Sequence, residues 1–193
     1  MSKVAIQGAV TGTGVFTLAS PATNTDRTLT LPDEAGTVLT SASDVAQRGV
    51  PVFRVYMYNG GSNFSISNGI NTKIPYDTVE FDSHSFFDNT TNYRFQPTIA
   101  GYYQITVSGS ISYTSTGGNV PFIRLYKNGS SYAVSGPVYS AISIYGYIHL
   151  SALVYFNGSS DYVEGYAYYN SPSAVVTTGS NDTSISGFLV RAD

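Results

Sequence analysis

From Pro51 onward, apolar and polar positions alternate with period two in short runs separated by turn residues. Val52–Tyr58 alternates and stops at Asn59-Gly60-Gly61. Lys73–Tyr76 and Val79–Asp82 follow, then Tyr93-Arg94-Phe95, and Gly101 opens a long run through Ile111. Phe122–Tyr126 leads into Lys127-Asn128-Gly129, and Ile148–Tyr155 leads into Asn157-Gly158, which Tyr162–Tyr169 answers. Asn-Gly between alternating runs is a strong hairpin signal. Ile185–Val190 closes the chain. Eight or more strands are therefore expected, and two antiparallel sheets in a sandwich or jelly roll fit that number.

Residues 1–50 read differently. Gly14–Leu18, Arg27–Leu31 and Thr37–Thr40 are strand-like, with turn clusters at Pro21–Asp26 and Pro32–Gly36. Ser43–Arg48 has the cap and the closing glycine, Gly49, of one helical turn. All 17 Tyr follow Val55, and Phe16 is the one Phe of ten that precedes Gly49. A segment this short and poor in aromatics does not supply its own core. The expected organisation is an arm, 1–50, that docks on a partner or on copies of itself, and a β domain, 51–193.

Composition sharpens the fold class and removes several functions. Only 11% of the 193 residues are charged, against about 25% in an average domain, and Tyr, Gly, Ser, Thr and Asn fill the gap. Long amphipathic helices lack their raw material, and all-β is the expectation. A net charge of −3 gives no basic footprint for nucleic acid. Without Cys there is no disulfide and no thiolate metal site. No apolar stretch is long enough for a helical membrane span, and Met1–Val10 lacks the apolar stretch of a secretory signal.

Candidate chemistry is sparse. Asp82-Ser83-His84-Ser85 brings together the residue types of a triad, but triads assemble from separate segments, so no catalytic residue is assigned. His149 reads as a strand residue. Asp77, Glu80, Asp82 and Asp88 can be read as a calcium site, but a solvated acidic loop is the favoured reading, and no metal or cofactor is assigned. Gly12-Thr13-Gly14 lacks the Gly-Lys-Ser/Thr of a phosphate loop. The loops Tyr113–Asn119, Gly129–Tyr132 and Tyr169–Pro172 mix Tyr with Ser, Asn and Gly, as adaptable recognition surfaces do. Tyr113, Asn119, Ser130 and Tyr132 are the candidate contact residues, suited to a glycan by stacking and neutral hydrogen bonds. The plain alternative is ordinary polar hairpin tips.

Two resemblances add to this reading. Gly14–Leu18, Pro21–Asp33 and Ala35–Thr40 together resemble a segment, here residues 12–40, recurrent in bacteriophage tail-fibre and related virion proteins. That resemblance implies a virion structural protein, with 1–50 attached to other virion proteins. Phe95-x-Pro97, Gly101-x-Tyr103-x-Ile105, Phe122–Gly129 and Ser184–Val190 resemble, in that order, the C1q/TNF-like jelly roll over 52–193. Ile185 stands where that family often has Phe, and Ser160-Asp161 where it has Gly-Asp. The resemblance implies the fold and a homotrimer, with no ligand specificity and no calcium site.

The residues independently call for one strand face to be covered. Tyr102-Tyr103, Tyr145-x-Tyr147 and Tyr166-x-Tyr168-Tyr169 place aromatics on both faces of their strands, so one face needs a subunit interface or a ligand. The combined expectation is a trimeric short tail fibre whose knob contacts a host-surface glycan or protein. The alternative is a head fibre or capsid decoration protein. A spike-borne polysaccharide-degrading enzyme needs clustered carboxylates and a longer β-helical body, so no enzyme is expected, nor any nucleic-acid partner or membrane insertion. Phe95, Tyr103, Phe122 and Phe188 are expected in the core. Contact loops are expected at the end opposite Pro51 and Asp193, with Tyr113–Asn119 and Ser130–Tyr132 as candidates.

Overall fold

A computed structural model describes residues 50–114, 119–135, 144–170, 174–179 and 182–193, together with Thr25 and Thr28. The strands expected at 14–18 and 37–40 and the helical turn at 43–48 lie outside the described residues, as does the strand expected at 27–31 apart from Thr28. The chain divides into two units, Met1–Val38 and Leu39–Asp193, and the described strands all belong to the second.

Among the described residues the chain forms thirteen strands. They are β1 Val52–Tyr56, β2 Phe64–Ser65, β3 Thr72–Lys73, β4 Thr78–Asp82, β5 Phe87–Asp88, β6 Arg94–Phe95 and β7 Gly101–Tyr113. Then come β8 Phe122–Lys127, β9 Ser130–Val134, β10 Ile144–Phe156, β11 Val163–Tyr168, β12 Ala174–Val176 and β13 Ser184–Ala192. All pairings are antiparallel. In the first sheet β7 is central. β10 pairs along its whole length on one side, while β13 and β12 share the other. β1 and β4 extend the sheet beyond β13, and β2 extends it beyond β12. The second sheet runs β5-β6-β11-β8-β9, with β3 also on β11.

The core between the sheets is built around Phe95. Its ring stacks on Phe53 with centroids 4.0 Å apart and meets Tyr103 and Phe156 edge-on at 5.6 and 5.7 Å. Tyr103 is fully buried, its hydroxyl donating to the Ile99 carbonyl at 3.0 Å, and burial pushes that phenol up to about 12. Gly101 explains its own place in the motif. Its φ is +145°, and a Cβ there would come within 2.2 Å of the Arg191 carbonyl.

Two expected core residues are not in the core. Phe188 is 48% exposed, because Ile185 and Gly187 take the inward positions of β13 and the next residue must point out. Gly187 is pressed so closely on Phe53 and Ile105 that no side chain fits inward there. Phe122 is half-buried on the outer side of the second sheet, while Ile123 and Leu125 fill the inner side.

The two Asn-Gly signals part ways. Asn128 and Gly129 both have positive φ, 51° and 76°, and make a tight β8–β9 hairpin. Asn157-Gly158 instead links β10 in the first sheet to β11 in the second. There the Asn157 Oδ1 accepts the backbone N–H groups of Ser159, Ser160 and Asp161, which rounds a wider loop.

Candidate interaction site

The first and last strands are neighbours: β1 pairs with β13, and the Leu189 N–H donates to the Pro51 carbonyl. Near the same end, the Asp193 N–H donates to the Ala100 carbonyl, and the side chains of Lys127 and Asn128 bind Asp161. Desolvation works against the Asp161 carboxylate, but these bonds prevail and hold it below the usual carboxylate range. The opposite end carries Thr114, Asn119, Tyr169 and Asn170, where the Tyr169 hydroxyl donates to the Thr114 carbonyl.

That geometry scatters the four candidate contact residues. Tyr113 is 4% exposed, with its ring 5.4 Å from that of Tyr169, and is a core residue. Asn119 is half-buried and donates to the Asn170 carbonyl. Ser130 and Tyr132 are exposed but follow the Asn128-Gly129 turn, at the other end of β8. Six strand residues at ~3.3 Å each separate those ends by about 20 Å. Ser130 lies at the end where the chain enters and leaves, and the Tyr132 hydroxyl donates to the Leu153 carbonyl on the neighbouring edge strand. The four do not form one site, and Ser130 and Tyr132 do not lie at the end opposite Pro51.

The acidic loops are equally divided. Asp77 accepts the N–H groups of Tyr58 and Asn59, Glu80 pairs with Arg54, and Asp88 closes its own turn through Thr90, Thr91 and Asn92. Asp82 accepts the N–H groups of His84 and Phe87, while the His84 ring meets Ser83 instead. Asp82 therefore does not orient the imidazole as a triad acid would. Among the described residues no group of three acidic or imidazole side chains converges.

What does converge is the outer face of the first sheet. Val52, Phe188, Gln104 and Leu153 form one continuous row across β1, β13, β7 and β10. Leu153 is 51% exposed, and Tyr102 and Tyr155, paired in the next row, have rings 5.3 Å apart. Phe81 on β4 lies opposite Arg54, one row further on, and the shallow groove between Phe81 and Phe188 measures about 310 Å³. Away from the chain-entry end the face turns polar. Arg54, Ser186, Thr106 and Ser151 form the next row, and Tyr56, Ser184, Ser108 and His149 the one after. The hydroxyls of Thr106 and Ser151, and of Ser108 and Ser184, bond each other. Sequence parity from Ile185 would have turned Phe188 outward; the motif resemblance alone drew it into the core.

No protein-family model and no curated protein matches the sequence. Solved structures do match the fold. The globular domain of zebrafish complement 1qA superposes with a TM-score of 0.54 at 15% identity, covering 75% of this chain and 100% of that one. The Eiger TNF of S. frugiperda gives 0.54 at 10% identity, covering 75% and 96%. The PRD1 vertex protein P5 gives 0.52 at 16% identity, covering 74% and 99%. The strand order and these likenesses together establish an all-β, antiparallel jelly roll of the C1q/TNF type.

Proposed function

We propose that the chain is a bacteriophage virion structural protein that acts as a homotrimer. In this reading residues 1–50 attach it to another virion protein, and the jelly roll is the knob of a short tail fibre that contacts the host surface. The observation that carries it is the cluster of exposed apolar side chains, Val52, Phe188, Phe81 and Leu153, on the outer face of the first sheet. Contiguous exposed apolar surface of this kind marks an interaction site. Three copies packing these faces against one another would take Val52, Phe188 and Leu153 out of water. The phage assignment rests on the segment at 12–40, and the fold likeness to a phage vertex protein supports it.

That same likeness favours a second reading, a head fibre or capsid decoration protein, because the neighbour is a vertex protein. Competition separates the two. Excess purified protein should reduce adsorption of the parent phage if the knob is a tail-fibre tip. Undiminished adsorption, with trimer density on the head, would select decoration. A chain beginning at Gly49 should fold and stay out of the particle in either case; normal incorporation would remove 1–50 as the anchor.

A further inference from the structure

The outer face of the second sheet has a different chemistry. β8 and β11 pair Tyr126 with Glu164, Arg124 with Tyr166 and Phe122 with Tyr168. All six stand away from the core, since Ile123, Leu125, Val163 and Ala167 fill the inner side. The rings of Tyr126 and Tyr166 lie 4.2 Å apart, those of Phe122 and Tyr168 6.2 Å apart. The Arg124 guanidinium is 4.7 Å from the Tyr168 ring centre and 5.8 Å from that of Phe122.

Among the described residues Arg124 has no charge partner. Among the described residues Lys73 pairs with Glu164, Lys127 with Asp161 and Arg54 with Glu80, whereas Arg124, like Arg94 and Arg191, has no ion pair, and Arg124 alone of these three has its Nε buried without an acceptor. A buried donor ordinarily has one. A planar guanidinium held against aromatic faces suits a partner that brings a flat apolar ring face and an anionic acceptor together. A sugar ring bearing a carboxylate has both. The nearby Glu164 is already matched by Lys73, which leaves Arg124 to balance a single negative charge. A phosphate monoester, at about −1.5 to −2, exceeds that balance.

We propose that this face, centred on Arg124, binds a carboxylate-bearing saccharide, a hexuronic or sialic acid residue of a cell-surface glycan. The inference rests on the trimeric fibre reading, in which the first sheet's face is covered by neighbouring copies and the second sheet's face stays outward to meet a host.

The test is an array of hexuronate-, sialate-, phosphate-bearing and neutral glycans, probed with the full chain and with Arg124→Gln, Arg124→Lys and Tyr168→Leu. Melting curves and light scattering on each preparation verify folding and mass. Retention of carboxylate-bearing glycans is expected, falling roughly tenfold or more in Arg124→Gln and Tyr168→Leu at unchanged mass. If Arg124→Gln does not fold, Arg124→Lys decides: it keeps the charge and loses the planar fork, so weaker binding is expected. Retention of neutral or phosphate-bearing glycans alone, of none, or equal retention by wild type and the folded Arg124 variants would overturn the proposal. A trimer that competes for adsorption yet ignores acidic glycans refutes this inference alone; a monomer refutes the functional reading beneath it.

Discussion

Val52 and Phe188 stand directly opposite each other across β1 and β13, both facing solvent, 37% and 48% exposed. Two large apolar side chains side by side at the centre of a sheet face are costly to leave in water, at ~25 cal/mol per Å². Gln104 and Leu153 continue their row to the sheet edge. Beyond it the hydroxyl rows satisfy one another. The face therefore carries its apolar cluster toward the chain-entry end and mainly hydroxyls further away, with Phe81 and Tyr147 as exposed aromatics there, and a trimer built on this face requires the apolar cluster to be covered.

Replacing Phe188 with Ser and Leu153 with Lys together should dissociate the trimer while the strand spectrum in circular dichroism persists. Phe188→Leu, which keeps the apolar area, should leave the mass unchanged. A double variant that remains trimeric would move the interface elsewhere.

Phe95→Ala should be severe. The ring contacts Phe53, Phe86, Tyr103 and Phe156, and Phe→Ala in a core costs roughly 3–5 kcal/mol of a typical ~5–15. Phe122→Ala, on the outer face, should cost far less. Equal losses in urea denaturation would contradict the assignment of inner and outer positions.

Gly101→Ala should loosen the end of the first sheet. A methyl group there overlaps the Arg191 carbonyl, so β13 must shift or its last pairs must open. The expected loss is about 1–3 kcal/mol, with amide exchange faster at Arg191 and Ala192. Unchanged exchange at those positions would show that the close approach is absent.

The strand pattern and the core motif were legible in the sequence because both are local. The expected runs located β1, β4, β6, β7, β8, β10, β11 and β13, and Phe95, Gly101 and Tyr103 take the places their motif implied. The two-residue strands β2 and β5 are too short to show periodicity, β3 overlaps its expected run only at Lys73, and tertiary pairing defines all three. The candidate contact residues do not gather in one place, for a geometric reason. Tyr113, Asn119, Ser130 and Tyr132 share a composition, but β8 carries the chain from one end of the sandwich to the other between Asn119 and Ser130. The row Val52–Phe188–Gln104–Leu153 draws on four strands distant in sequence, and only their register brings it together. Arg124 was hidden likewise, since a strand cation reads as a solvated face until its neighbours are placed.

Acid should weaken the fold through Asp88. Hydrogen bonds from the Thr91 and Thr90 N–H groups and the Asn92 side chain hold its carboxyl well below the usual carboxylate range. In the unfolded chain it titrates near ~3.9 and takes up a proton first. Its stabilisation is therefore complete above about pH 5 and is lost as the pH falls below ~4 toward the folded value. Asp88→Ala should lower the melting temperature at pH 7 and flatten its fall between about pH 4 and pH 2. An unchanged acid limb would mean that Asp88 plays no part in acid sensitivity.

Whether the jelly roll closes its apolar face with two further copies of itself is decided by light scattering of the full chain after size separation, at micromolar concentration. A single species of about three times 20.6 kDa is expected. A stable species at 20.6 kDa, with Phe188 and Leu153 still open to solvent, would contradict the trimer.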